Sequence, residues 1–106
     1  MSGPRVDEVI HHPTRLALVG FLSGCHEAEF GAVRDYCGIS DASVSRIVSA
    51  LEEAGYVKVR KGYVGKRPRT WLALTPAGRT ALADHLAALQ AIVDSAARAA
   101  ARPPQA

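Results

Sequence analysis

Six side chains here are histidines or cysteines, which bind metals or carry acid–base chemistry: His11, His12, Cys25, His26, Cys37 and His85. A structural zinc site takes four such ligands, commonly in CxxC or HxxxH pairs, because one turn of chain must bring two donors to one ion. Neither spacing occurs, and His11 and His12, being adjacent, would be expected to point apart. In a reducing compartment Cys25 and Cys37 stay as thiols, and the plain reading is two small half-buried apolar side chains. There is no Gly-rich phosphate loop, and nothing joins a nucleophile to a base and an orienting acid. The expectation is no catalytic residue, no metal, no cofactor and no enzymatic activity. A metal or thiol gate built from these six residues remains an open alternative.

The other chemistry on offer is electrostatic. Net charge is only +3 over 106 residues, but it is uneven. No acid occurs between Glu53 and Asp84, while Lys58, Arg60, Lys61, Lys66, Arg67, Arg69 and Arg79 fall there. The stretch "VRKGYVGKRPRTW", Val59 to Trp71, concentrates five of those cations. Such a block faces an anion: nucleic acid first, a lipid headgroup second. No apolar run approaches the roughly 18 residues of a membrane span. Met1 to Asp7 lacks the charged-then-apolar order of a signal peptide. A cytoplasmic, nucleoid-associated protein with no membrane partner is expected.

The elements that must position these charges can be read from periodicity and punctuation. The length suits one domain, with a core over about residues 7–75, a last helix over about 76–100 and frayed ends at 1–5 and 102–106. A short helical piece through Val6, Val9 and Ile10 is expected before a first helix that begins near Pro13 and stops at Gly24. Phe30, Val33 and Cys37 share one face of a short second helix, broken by Gly38. Ser40 caps a third helix, 41–54, with Asp41 at its positive start and Val44, Ile47, Val48 and Leu51 as the buried stripe. The period then changes to two. Tyr56 to Arg60 and Thr70 to Leu74 read as a hairpin with a long basic tip shaped by Gly62, Gly65 and Pro68. Trp71 and Ala73 are expected to face the core; Trp71 or Tyr63 stacking on bases is the other reading. Thr75 and Pro76 open the last helix, where Leu82, Leu86, Leu89 and Val93, widened by Ile92, form a heptad seam. That seam can pack on the chain's own helices or on a second copy, and its length favours the copy.

Helix, short helix, tight turn, helix, hairpin, long helix is the order of a winged helix-turn-helix, an α+β, mostly helical fold. "GISDASVSRIVSALEEAGYVKVRKG", Gly38 to Gly62, resembles the recognition helix and wing entry of small MarR- and ArsR-like regulators. "GKRPRTWLALTPAGRTAL", Gly65 to Leu82, resembles their second wing strand running into the dimerisation helix. The resemblance spans about residues 7–93, with stand-alone winged-helix DNA-binding proteins as its nearest group. It implies a dimeric transcription regulator; a homodimeric repressor on a palindromic double-stranded operator is the expectation, with activation left open. Since ArsR-like relatives include metal sensors, it also keeps the gated-sensor alternative in view.

Physical roles follow for the residues. Ser40, Ala42, Ser43, Ser45 and Ser49 are small enough to let a helix backbone approach base edges, and Arg46 can reach a guanine edge or grip a phosphate. Asp41 fits that face poorly. Lys66, Arg67 and Arg69, helped by Arg60 and Lys61, would make wing 60–70 a clamp on phosphates or in a narrow minor groove. Leu82, Leu86, Leu89, Ile92 and Val93 would pair two copies. A winged helix that docks its basic hairpin on an acidic protein is the competing class, because fold alone does not fix function.

Overall fold

A computed structural model describes residues 5–103, so most of the two expected frayed ends lies outside the described residues. The chain runs α1 (Pro13–Ser23), β1 (Ala28–Glu29), α2 (Phe30–Cys37), α3 (Asp41–Glu53), β2 (Val57–Val64), β3 (Arg67–Leu74) and α4 (Pro76–Ala100). These make a winged helix with a long final helix, as the sequence leads one to expect.

Local chemistry sets most boundaries. Pro13 disfavours the helical region for the residue before it, and His12 is extended at φ −157° and ψ 133°. The expected helical piece before α1 is therefore only a turn, closed by the N–H groups of Ile10 and His11 on Asp7 O at 3.0 and 2.7 Å. His12 caps α1 with its ring, Nδ1 accepting from Thr14 N at 3.2 Å. Gly38 ends α2 at φ +66°, and Ser40 Oγ accepts from Ser43 N at 3.1 Å to start α3.

The sheet has the order β1-β3-β2, antiparallel throughout. Val64 pairs with Arg67, so the hairpin closes through two residues, Gly65 and Lys66, with Gly65 at φ +63°. The expected long tip is corrected by this register. A two-residue loop with glycine first follows the natural strand twist, and the ladder absorbs the other residues. Gly62 pairs with Arg69, and Tyr63 with Pro68. Proline is tolerated there because β1 covers β3 only at Trp71 and Leu72, leaving an edge at Pro68.

The phase of β3 is also corrected. Paired residues of an antiparallel ladder share a face, so Val57 and Val59 go with Leu74 and Leu72, while Lys58 and Arg60 go with Ala73 and Trp71. Leu72 and Leu74 are buried against Leu18, Leu22, Val33, Val44 and Leu51. Trp71 lies on the opposite face, half-exposed.

α4 begins on the core and leaves it. Thr75 Oγ1 accepts from Gly78 N at 2.9 Å and donates to Gly55 O at 2.6 Å. Gly78, Ala81, Leu82 and His85 are buried; Leu86, Ile92 and Val93 are 50%, 43% and 59% exposed. The radius of gyration is 17.6 Å, against about 13 Å for a compact chain of this length. The molecule is elongated, 74 Å in one direction and 25 Å or less in the others.

Candidate nucleic-acid interface

On α3 the exposed residues are Asp41, Ala42, Ser45, Arg46 and Ser49, followed by Glu52 and Glu53 in the last turn, with Ser43 half-buried at the edge. A short polar chain orders the start of the helix. Ser40 Oγ lies 3.0 Å from Ser43 Oγ, and Arg46 Nη2 donates to Ser43 Oγ at 3.1 Å. Arg46 thus lies back along its own helix. Asp41, the residue that fits a reading face poorly, is matched by Arg34 of α2, whose Nη1 donates to it at 3.0 Å. Arg34 also bonds Asp35, and the two carboxylates hold its guanidinium above its ordinary pKa, Asp35 contributing most. Arg34 could not be found from local sequence, because its partner lies across the turn between two helices.

The hairpin cations divide into two groups. Arg60 Nε donates to Glu27 at 3.2 Å, and its guanidinium lies 4.1 Å from the Trp71 ring centre. Arg69 Nη1 meets Glu29 at 3.4 Å, and its Nε is buried with no hydrogen-bond partner among the described residues. Both acids come from β1 and the residue before it, on the sheet face shared with Trp71. A run without local acids is therefore half-neutralised from elsewhere in the chain. Lys61, Lys66 and Arg67 remain exposed and outside every ion pair among the described residues, the latter two at the tight turn. The geometry brings together at the tip fewer cations than the sequence suggested, and it gives Arg60 an internal role.

The seam residues also separate. Leu82 is only 9% exposed and belongs to the core cluster, so its place in a dimer seam is corrected. The heptad reading joined it to Leu86 although the two face different surroundings. Leu89 is half-buried, and Leu86, Ile92 and Val93 are open.

Sequence reasoning overlooked the base of α4. His85 is 1% exposed, and its Nδ1 accepts from Asp7 N at 3.0 Å. Asp7 in turn accepts from Tyr56 Oη at 2.6 Å and from Val9 N at 2.9 Å. The bond to Asp7 pushes the Tyr56 phenol above its ordinary pKa, with burial adding to it. The N-terminal turn is thus clipped to β2's entrance and to α4. Its only sequence signal was an isolated histidine at a helical position. His11 lies edge-on to His85, ring centroids 5.3 Å apart, and no third His, Cys, Asp or Glu joins them in a metal-binding group among the described residues. Burial raises the pKa of the Cys37 thiol, which lowers its reactive thiolate fraction.

Comparison with known proteins agrees with this geometry. A family model described as "Winged helix DNA-binding domain" matches residues 14–93. The structure of a transcriptional regulator homologue from Pyrococcus horikoshii superposes at TM-score 0.77 with 26% identity, over 84% of this chain and 88% of that one. A regulator of the MarR family from Enterococcus faecalis gives 0.67 and 25%, over 90% and 84%. The transcriptional repressor BigR of Xylella fastidiosa gives 0.62 and 29%, over 76% and 74%. The fold and its exposed helix define a winged-helix transcriptional regulator of MarR type. The chain belongs to the winged-helix DNA-binding domain family. No helix among the described residues is long and apolar enough to cross a membrane.

Proposed function

We propose that the chain acts as a homodimer on a palindromic double-stranded operator, with α3 in the major groove and the hairpin tip on the flanking backbone. The carrying observation is the exposed face of the first turns of α3, small-sided and with Asp41, the acid at its start, matched by Arg34, in the same domain as a hairpin tip bearing Lys66 and Arg67. Ala42, Ser43, Ser45 and Ser49 let the backbone approach, Ser40 fixes the helix start, and Arg46 supplies the long donor. Lys61, Lys66 and Arg67 bind phosphates without sequence preference; Arg69 joins them only through the donors its bond to Glu29 leaves over.

In this reading residues 7–75 form the core of one domain and 76–100 the pairing helix. Leu86, Leu89, Ile92 and Val93 join two copies, setting two reading helices about 34 Å apart, one turn of DNA. Repression is the mode we infer; the Xylella relative is a transcriptional repressor. The test is selection of bound duplexes from a random pool, followed by Arg46→Ala. A palindromic consensus with half-sites one helical turn apart, blurred at some positions by the variant, is expected. A pool that shows no enrichment overturns the reading.

A further inference from the structure

Beside the reading face lies a hollow of about 610 Å³ that the residues assigned above do not account for. One wall is α3, through Ser43 and Arg46; the other is the start of α1, through His11, His12, Thr14 and Arg15. We propose that this hollow seats a backbone phosphate of the DNA strand bordering the groove that α3 enters, and that His11 and His12 are donors to it. The proposal rests on the reading of α3 as the groove helix and extends that contact surface to the N-terminal turn.

The donor set is that of an oxyanion seat. His12 Nδ1 accepts from Thr14 N at 3.2 Å, which assigns the ring proton to Nε2 and leaves that N–H free to donate. Arg15 is fixed at one end, Nη1 on Val9 O at 3.1 Å, so its remaining N–H groups are held rather than swinging. Arg46 is drawn back onto Ser43 Oγ and so lies on the rim of the hollow. Its sole acid is Glu8. A helix lying in a major groove has sugar–phosphate backbone on either side of it, and such contacts fix orientation rather than sequence. The hollow borders the Ser43 flank of α3, where, with α3 in the groove, one of those backbones would pass.

The test uses the full chain and a selected duplex. His11→Gln with His12→Asn removes both imidazoles, while asparagine keeps the cap that starts α1; circular dichroism checks that the helix content is unchanged. Phosphate-ethylation interference on wild type is expected to mark a phosphate beside each half-site that the double variant no longer marks. Affinity should fall about tenfold on cognate and scrambled duplexes alike, the scale of one or two hydrogen bonds to a charged group. An identical interference pattern and affinity in the variant overturns the seat while leaving the regulator reading standing. A wild type with no preference for any duplex removes the regulator reading itself, and the seat with it.

Discussion

The guanidinium of Arg60 lies 4.1 Å from the centre of the Trp71 ring while its Nε donates to Glu27. A cation from β2, an indole from β3 and a carboxylate from the residue before β1 thus share one spot at the foot of the wing. Gly62 completes it, since a Cβ there would sit 3.1 Å from the indole.

The first prediction concerns pH. The hydrogen bond from Arg60 holds the Glu27 carboxyl below its ordinary range, and the same bond raises Arg60. A carboxyl depressed in the folded state stabilises above its unfolded pKa, and that contribution fades as pH falls through the folded value. Glu27→Gln should therefore be less stable than wild type at neutral pH, with the gap closing in strong acid. Urea midpoints across that range check this, and added salt should narrow the gap because the pair is exposed. A gap that widens on acidification would refute the assignment.

The second concerns the wing. Lys66→Ala with Arg67→Ala should weaken binding to every duplex and flatten the plot of log K against log salt by about 2, near one unit for each phosphate left without its cation. Arg60→Ala should leave that slope alone and instead shift the emission of Trp71, the only tryptophan. Titrations at several salt concentrations separate the two.

The third separates the two sides of α4. Leu82→Ala removes a core side chain and should cost about 2–4 kcal/mol in thermal or urea unfolding. Leu86→Ser with Val93→Ser touches only open positions, so it should leave the folded core intact and shift sedimentation toward a single chain. Unchanged sedimentation would remove the pairing role of that face.

The fourth concerns Gly78, where an added Cβ would lie 2.2 Å from Tyr56 O. Gly78→Ala should destabilise by about 2 kcal/mol or more, as overpacking against backbone does, although alanine is the better helix former. A melting temperature equal to wild type would contradict the packing.

Helix boundaries were legible because each carries its own punctuation: Pro13, Gly38, Ser40, and Thr75 with Pro76 act within a turn of themselves. The hairpin was legible in its existence and not in its phase. Trp71 and Ala73 offered one apolar face, Leu72 and Leu74 another, and only the helices beneath choose between them. β1, with two residues, has no period to detect. Glu27 and Glu29 lie far from their arginines in sequence, so the neutralisation of Arg60 and Arg69 had no local sign. Leu82 and Leu86 obey one heptad although the core ends between them. His85 looked like a stray metal-ligand type because its partner is a backbone N–H of Asp7, which no side-chain pattern reveals.

The emergence of α4 from the core just after His85 has a mechanical corollary. From there to Ala100 the helix runs about 22 Å, so a tilt of a few degrees at the Asp7–His85 clip sweeps its far end by more than an ångström. If two chains join along that free length, the separation of their DNA-facing ends is gauged by helix length rather than by the wing or the core. Seven residues inserted beyond Leu86 would lengthen the gauge by about 10 Å while returning the apolar side to nearly the same bearing. The helix would then behave as a ruler whose graduations are heptads and whose zero mark is His85.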